Sequence, residues 1–308
     1  MGNYVFAGCT LLNKVTIASG TSIIGYGAFQ GCTSLSAVSI PNTVTKIEGS
    51  AFNECTSLSG ITIPNSVKTI GYSAFYNCKN MSSLSIGSGV TSIGDSAFQY
   101  CSKLISITIP NSVTSLGSRS FADCTKVTSV TIGNSVDSMG NYVFAGCTLL
   151  NKVMIASGTS IIGYGAFGSC TSLTSISIPE TVIKIGDVKL NDDNLKETTV
   201  FYNHPSSLTI YGKRGSFAQK FANVNDIKFS TASQPVTVKL GDINSDEKVN
   251  LADALLVFKH SLKLVVLTDN GYLAADVNGD GKIQLQDAII LQKYSLGFGS
   301  EFPIGKVM

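Results

Sequence analysis

Apolar residues recur along the first 186 positions in one pattern with a period of 23 residues. In each repeat the order L-x-x-V-x-I, as in Leu35 to Ile40, is typical of a short strand with one buried face. A second apolar pair, such as Val67 and Ile70, precedes a glycine and predicts a second short strand. Proline cannot donate to a ladder and marks strand ends at Pro41, Pro64, Pro110 and Pro179. A period of this length predicts a solenoid, in which each repeat forms one coil.

Three columns keep one residue type through all eight repeats: a phenylalanine, a cysteine, and an isoleucine eight positions after the cysteine. The cysteines are Cys9, Cys32, Cys55, Cys78, Cys101, Cys124, Cys147 and Cys170, and a phenylalanine stands three positions before each of them. We expect one helical or 3-10 turn over this Ala-Phe-x-x-Cys stretch. Eight cysteines in a secreted chain ordinarily indicate a disulfide framework. In a stack of coils, however, the cysteine side chains point in parallel, whereas a disulfide needs converging Cβ atoms. We therefore predict buried free thiols.

Composition narrows the class of protein. The chain has 308 residues, of which 44% are hydrophobic and 14% are charged, which excludes a disordered tail protein. A net charge of +2 gives no electrostatic basis for binding nucleic acid or an anionic membrane surface. No apolar run approaches the roughly 18 residues that would span a bilayer. We expect a folded protein that has neither nucleic acid nor membrane as a partner.

The A-F-x-x-C-x-x-L repeats closely resemble leucine-rich repeats of a bacterial surface-protein subclass. The resemblance implies a β-rich solenoid of short parallel strands with helical or 3-10 turns, over residues 1–229. An irregular cap from about 187 includes Leu208–Gly212, Gly215–Ala218 and Ile227–Phe229, and would cover the last coil's apolar edge. Residues 1–29 repeat residues 139–167 except that Thr16 replaces Met154. We therefore expect the chain to begin partway through a coil of a longer array, and no signal peptide is present to read.

A second pattern begins after a small, polar linker at 230–238. Within residues 239–308, two loops carry oxygen-bearing side chains at positions 1, 3, 5, 9 and 12, with a lysine at position 7 that offers its backbone carbonyl. This is the spacing of a twelve-residue calcium loop. The first loop has Asp242, Asn244, Asp246, Lys248, Asn250 and Asp253, and the second, 34 residues later, has Asp276, Asn278, Asp280, Lys282, Gln284 and Asp287. The sequence predicts two Ca²⁺ ions.

The two loops are not equivalent. Position 6 is Gly281 in the second loop but Glu247 in the first, where the sharp turn favours glycine. We therefore expect the first site to be weaker or more distorted. One apolar helix is predicted after each loop, at 252–262 and 286–296. Because three carboxylates converge in each loop, calcium should contribute folding free energy.

This pair of half EF-hands resembles a dockerin, over about residues 239–300. The resemblance implies a small all-α, calcium-binding module that binds a cohesin module of a scaffoldin, as in cellulosomes. It places cohesin contacts before the last calcium ligand and along the following helix, at Leu251, Ala252, Phe258, Lys259, Lys263, Leu285, Gln286, Gln292 and Lys293. The Ser-Thr pair of the best-known type is absent, and the two halves differ, so the cohesin type and two-way binding are open. Leu251, Leu285 and Phe258 have an alternative role as helix core.

The outward positions of the solenoid strands are small and polar. One column runs Thr16, Ser39, Thr62, Ser85, Thr108, Thr131, Met154 and Ser177, without the aromatic platform expected for stacking on sugars. Several tyrosines lie near the turn instead, either scattered or as a patch: Tyr26, Tyr72, Tyr76, Tyr100, Tyr142 and Tyr164. The two histidines, His204 and His260, fall in different domains, so no Ser-His-Asp set is expected in either.

These observations favour a non-catalytic, secreted component of a cellulosome-like assembly. Its dockerin would bind a scaffoldin cohesin, and its solenoid would present a surface to a protein partner or a cell. One alternative is a substrate-targeting module whose solenoid binds plant polysaccharide. Another is a calcium sensor, whose helices would open when calcium binds. The extracellular location follows from the family resemblance alone.

Overall fold

The structure is a computed structural model that describes residues 1–190, 196, 199–231, 243, 249–262, 267, 275, 277 and 283–296. It divides into two units, Met1–Gln234 and Pro235–Met308. Each unit has its own cluster of buried hydrophobic residues. The units are therefore described separately.

The longer strands of the first unit lie side by side and are parallel, one from each coil. They are β1 (Lys14–Thr16), β3 (Ala37–Ser39), β5 (Gly60–Ile63), β7 (Ser83–Ile86), β9 (Ser106–Ile109), β11 (Ser129–Ile132), β13 (Lys152–Ile155), β15 (Ser175–Ser177), β18 (Thr209–Tyr211) and β19 (Lys228–Ser230). Each residue pairs with the equivalent residue of the coil before it and of the coil after it. Val130, for example, pairs with Ile107 and Val153. Within the described residues the hydrogen-bonded ladder is continuous from β9 to β19 and interrupted between β3 and β5 and between β7 and β9.

A second sheet of two-residue strands lies at the other apolar pair, as predicted. It consists of β2 (Ile23–Ile24), β4 (Lys46–Ile47), β6 (Thr69–Ile70), β8 (Ser92–Ile93), β10 (Ser115–Leu116), β12 (Ser138–Met139), β14 (Ile161–Ile162) and β16 (Lys184–Ile185), all parallel. The short strand β17 (Val188–Lys189) then pairs antiparallel to β16 and ends the sheet. In each two-residue strand of this sheet, from β2 to β16, the second residue is buried.

The stretch before each cysteine forms turns rather than a helix. The amide of Cys55 donates to the carbonyl of Phe52 at 3.2 Å, which is the short-range bond of a 3-10 turn. Alternate amides point to the next coil instead: Ser50, Phe52 and Glu54 donate to the carbonyls of residues 72, 74 and 76. Ser50 and Glu54 have φ values of 55° and 60°, in the left-handed region. The predicted turn is present, but these bonds between coils prevent it from becoming a helix.

The core of the solenoid is a stack of phenylalanine rings. Rings from Phe6 to Phe201 are nearly parallel, with centroid separations of 5.1–5.8 Å between neighbours. Seven of the eight cysteines are buried beside this stack, and all eight are free thiols, as predicted. Each buried Sγ donates to the carbonyl of the phenylalanine 26 positions earlier, at 3.1–3.4 Å. The exception is Cys9, which is exposed.

The solenoid continues past the eight regular repeats into a ninth coil. Phe201 stacks on Phe167, and the amide of Phe167 donates to the carbonyl of Val200, as in the regular coils. His204 occupies the cysteine position of this coil, three residues after the phenylalanine. The terminal unit then forms β18, helix α1 (Phe217–Val224) and β19. Ser216 caps α1 by accepting from the amide of Gln219, and the helix buries Phe217 and Phe221.

The second unit has two described helices of eleven residues, α2 (Leu251–Ser261) and α3 (Leu285–Ser295). They pack on each other, and their shared core contains Ala254, Val257, Ala288 and Leu291. Ile243 and Val277, which are the second residues of the two predicted calcium loops, are buried in the same core. The predicted helices are therefore present, and each begins one residue earlier than expected.

Candidate calcium loops and interaction surfaces

Helix α2 begins at the end of the first predicted calcium loop. Asn250 is its N-cap residue, and its side chain accepts a hydrogen bond from the amide of Ala252 at 2.8 Å. Asp253, in the first turn, accepts from the amide of Asn250 at 2.9 Å. In α3, Asp287 accepts from the amide of Gln284 at the same distance. Loop positions 9 and 12 are thus held together in both halves by the start of the helix.

The aspartates at position 12 are completely buried. The other carboxylate oxygen of Asp253 accepts from the amide of Ile243 at 2.9 Å, and that of Asp287 accepts from the amide of Val277 at 3.1 Å. Each carboxylate therefore connects the second residue of its loop to the ninth. Both side chains are 0% exposed. A buried carboxylate is costly unless charge or hydrogen bonds compensate it, so this position suits a cation.

The donor set around these carboxylates fits a hard cation. Asn250 and Gln284 lie beside them and offer amide oxygens, and calcium prefers such oxygen ligands. The remaining predicted ligands lie outside the described residues: Asp242, Asn244, Asp246, Lys248, Asp276, Asn278, Asp280 and Lys282. The hydrogen bonds from positions 2 and 9 to the carboxylate at position 12 are the same in both loops, as a repeated metal site requires, although Asn250 caps its helix with its side chain and Gln284 does not.

The predicted cohesin contacts on α2 and α3 lie outside the core. Leu251, Phe258 and Leu285 are 54%, 41% and 49% exposed, so their alternative role as helix core is wrong. Ala252, Gln286, Gln292 and Lys293 are also exposed, and Lys259 is half-buried. Lys263 lies outside the described residues.

Additional exposed apolar residues extend this surface, and the sequence analysis missed them. On α2, Leu255 and Leu262 are exposed and continue from Leu251 and Phe258 at helical spacing, so that the four residues form one stripe. We call Leu251, Leu255, Phe258 and Leu262 the α2 stripe. The equivalent positions of α3, 34 residues later, are Leu285, Ile289, Gln292 and Leu296. Spacing alone gave no signal, because the buried and exposed faces of both helices are apolar.

The solenoid carries its tyrosines on the segment before each cysteine, which we call the turn face. It comprises the seven residues that precede each cysteine, for example residues 48–54. Tyr76 and Tyr100 contact each other edge-on with centroids 5.4 Å apart, and Tyr142 and Tyr164 do so at 5.5 Å. Tyr26 contacts both Tyr4 and Tyr72. The tyrosines therefore form a set of patches rather than scattered single residues.

The cysteine ladder is not a reactive site. Burial raises the pKa of the Cys101 and Cys170 thiols to about 12, and the pKa values of Cys78, Cys124 and Cys147 are raised well above the usual range for the same reason. A thiol reacts as its thiolate, so these groups stay inert at neutral pH.

The two histidines belong to different units, His204 to the ninth coil and His260 to α2.

Two protein-family profiles match this chain, one in the first unit and one in the second. The profile of the BspA type leucine rich repeat region matches in six copies over residues 1–126 and 91–220. The profile of the dockerin type I domain matches residues 240–296. A search of curated proteins found no match.

Solved structures of bacterial leucine-rich repeat proteins are similar to this chain. A leucine-rich repeat protein from Bacteroides ovatus is 27% identical with a TM-score of 0.52, and the match covers 75% of this chain and 64% of that one. The T. pallidum leucine rich repeat protein is 28% identical over 56% of this chain and 70% of that one, with a TM-score of 0.41. A leucine rich cell surface protein from Faecalibacterium prausnitzii is 22% identical over 75% of this chain and 76% of that one, with a TM-score of 0.42.

The part of the chain that the structure describes contains no candidate for a membrane-spanning helix. None of the helices there is both long enough and apolar enough to cross a bilayer.

Proposed function

Since this chain belongs to the BspA-type leucine-rich repeat family and carries a dockerin type I domain, we propose that it is a non-catalytic component of a cellulosome-like complex. In this proposal the dockerin attaches the secreted protein to a scaffoldin cohesin, and the solenoid binds a protein or cell-surface partner. Both domain types are interaction modules without catalytic function, and together they indicate an extracellular or surface protein. The proposed domains are residues 1–229 and 239–308, and the division between Gln234 and Pro235 lies inside the proposed linker.

Calcium binding is a property of dockerin type I domains, and we propose that this domain holds two ions. The support is the repeated geometry at Asp253 and Asp287, each fully buried and each closing its own loop. The ion in the first loop would be held by residues 242, 244, 246, 248, 250 and 253, and that in the second by residues 276, 278, 280, 282, 284 and 287. Bound calcium would offset the repulsion between the loop carboxylates and so hold α2 and α3 in place.

The observation that carries the cohesin proposal is the α2 stripe. Four large apolar side chains, each 41–54% exposed, are costly to leave in water, and a contiguous patch of this kind marks a protein interface. The stripe starts two residues before Asp253, so a formed calcium loop would position it. We propose that a cohesin covers this stripe and the neighbouring residues Ala252 and Lys259, together with Lys263.

The two helices offer surfaces of different polarity. Phe258 on α2 corresponds to Gln292 on α3, and Leu255 corresponds to Ile289, which is half-buried. Because interface energy concentrates in large buried apolar and aromatic anchors, α2 should bind more tightly than α3. We therefore propose that one orientation, led by α2, dominates over the reversed one.

A titration of the intact chain with cohesins in calcium tests this proposal. We expect binding that is lost with a chelator and weakened at least tenfold by Leu251→Ser together with Phe258→Ser. The matched control is Leu285→Ser together with Gln292→Ser, which changes the equivalent positions of α3 and should weaken binding less than threefold. Absence of binding to every cohesin by a folded, calcium-loaded chain would contradict the proposal.

The second candidate is a substrate-targeting role, in which the solenoid binds plant polysaccharide. The observation that favours it is the contact series Tyr4–Tyr26–Tyr72, in which Tyr4 and Tyr72 are 53% and 52% exposed. Aromatic side chains on a surface can stack on sugar rings. Retention of the intact chain on insoluble cellulose or xylan, lost in Tyr4→Ala and Tyr72→Ala, would favour this role over a protein partner for the solenoid.

A further inference from the structure

The turn face is the part of the solenoid that differs most from coil to coil. The outward column of the long strands is nearly uniform, with Ser or Thr in seven of its eight positions. The turn face carries instead most of the tyrosines, and it has four of the six carboxylates of residues 1–186, namely Glu48, Glu54, Asp95 and Asp123. A surface that varies on an otherwise repetitive rod can distinguish partners, whereas a uniform one cannot.

Tyr76 and Tyr100 form the centre of an acidic patch on this face. Their rings meet edge-on, with centroids 5.4 Å apart and planes at 87°. Beside them the side-chain amide of Gln99, itself only 8% exposed, donates to a carboxylate oxygen of Asp123 at 3.3 Å and holds this group in place. Burial, followed by the charges of Tyr100, Glu54 and Asp123, raises the pKa of Tyr76. Both carboxylates therefore act on Tyr76, and the backbone amide of Glu54 donates to the carbonyl of Tyr76 at 2.8 Å.

The carboxylates of this patch have no cationic partner among the described residues. The ion pairs that the structure describes join Lys46 to Glu48 and Lys213 to Glu180, and neither includes Glu54 or Asp123. Tyr100 is 41% exposed, so part of its ring also faces solvent. Negative charge and aromatic faces are thus presented together.

A second tyrosine pair on the same face contacts a cation. Tyr142 and Tyr164 also meet edge-on, with centroids 5.5 Å apart. Here the guanidinium carbon of Arg119 lies 4.9 Å from the centre of the Tyr142 ring, within the range of a cation–π interaction. In the coil that carries Tyr142, the column of Asp123 is occupied by Gly146, which has no charge. One pair therefore holds a cation of the protein itself, and the other is surrounded by carboxylates.

We propose that Tyr76 and Tyr100, flanked by Glu54 and Asp123, bind a lysine or arginine side chain of a protein partner. The tyrosine faces would attract the cation, and the carboxylates would pair with it. A neutral polysaccharide has no charge to pair with the two carboxylates, whereas a basic side chain can pair with them and also contact the tyrosine faces. This inference rests on the proposed role of the solenoid in protein binding, and it is independent of cohesin binding by the dockerin.

The test is an NMR titration of the intact, calcium-loaded chain, in which ring-labelled tyrosines report on each patch. The probe is the blocked peptide Gly-Arg-Gly-Gly-Arg-Gly, compared with its Gln-substituted analogue and with xylohexaose. We expect the resonances of Tyr76 and Tyr100 to shift with the arginine peptide alone. In the double variant Glu54→Gln with Asp123→Asn, the affinity should fall at least fivefold.

The matched control is Glu48→Gln with Asp95→Asn, which removes the same charge from the same face outside the pair. It should change the affinity less than twofold. Equal losses in both double variants would mean unspecific attraction and would overturn the proposal, as would equal shifts with the glutamine peptide or with xylohexaose. Cohesin binding by the same sample is measured in parallel, so that a failure here is distinguished from a failure of the proposed function.

Discussion

At the scale of single residues, the cysteine column shows how a repeat converts a reactive side chain into a packing element. Each buried thiol fills the space beside a phenylalanine ring and donates to a carbonyl of the preceding coil. Burial then raises the thiol pKa, so that little thiolate exists at neutral pH. Cys9 differs from the other seven cysteines in being exposed.

The thiols should therefore differ sharply in reactivity. Iodoacetamide at pH 8 should modify Cys9 in the folded protein and leave the seven buried thiols unmodified, because burial raises the pKa of each of these thiols and keeps it protonated. Mass spectrometry should show one adduct on the native chain and eight after denaturation. Rapid modification of Cys101 or Cys124 in the native chain would contradict the buried ladder.

Glycine at position 165 is required by a neighbouring ring more than by the backbone conformation. Its φ is 61°, yet the equivalent positions Ser50, Ser73 and Ser96 adopt φ values of 50–55° without glycine. A Cβ atom at Gly165 would overlap with the ring of Tyr142. The tyrosine on one coil and the glycine on the next are therefore a matched pair.

A double-mutant cycle separates these two causes. Gly165→Ala should reduce the free energy of unfolding by about 1–2 kcal/mol more in the presence of the Tyr142 ring than in a Tyr142→Ala background. Urea denaturation of the four proteins measures the difference. Equal costs in both backgrounds would assign the whole effect to the backbone.

At the scale of elements, one aspartate links each calcium loop to the helix that follows it. The carboxylate of Asp253 accepts hydrogen bonds from backbone amides near both ends of its loop, and the carboxylate of Asp287 does the same in the second loop. Such a carboxylate serves two roles, as predicted metal ligand and as helix cap. Its loss should therefore affect the loop and the helix together.

Substituting these aspartates should weaken calcium binding one loop at a time. Asp253→Asn and Asp287→Asn should each lower the affinity of one site at least tenfold, since an amide cannot supply the second negative oxygen. Isothermal titration calorimetry of each variant measures the loss. The other site should retain its affinity to within a few-fold; loss of both sites in one variant would mean that the loops do not act separately.

The first site should be the weaker of the two in the unmodified chain. Glu247 stands at the sharp turn where the second loop has Gly281. Replacing Glu247 with Gly should bring the two affinities closer, which the same calorimetry measures. An unchanged or larger difference would contradict this explanation.

The strands were predictable because their apolar columns repeat eight times, and the helices because they follow two calcium loops. The hydrogen bonds between the turns of neighbouring coils were not predictable. The acceptors for the amides of Ser50 and Phe52 lie 22 residues away in sequence, and they come within reach only when the coils stack. The ninth coil was missed because His204 replaces cysteine, and a longer connection precedes Phe201. Two of the four residues of the α2 stripe, Leu255 and Leu262, were also missed, because packing rather than spacing decides which apolar face of the helix is buried.

At the scale of the whole molecule, the two units have separate cores and should respond differently to calcium. The solenoid core is a continuous stack of side chains that involves no predicted metal ligand, whereas the smaller core depends on two loops rich in carboxylates. Chelation should therefore unfold the C-terminal unit and leave the solenoid folded. Hydrogen exchange measured with and without a chelator should show loss of protection in α2 and α3 only; loss in β9 to β15 would contradict this.

We propose that the dockerin of this chain attaches the leucine-rich repeat solenoid to a scaffold in a calcium-dependent way. Binding of the intact chain to an array of immobilised cohesins, in calcium and in a chelator, tests this proposal. We expect binding to at least one cohesin in calcium, no binding in the chelator, and recovery when calcium is restored. Binding that is unchanged by the chelator, or no binding to any cohesin by a chain whose C-terminal unit is folded in calcium, would contradict it.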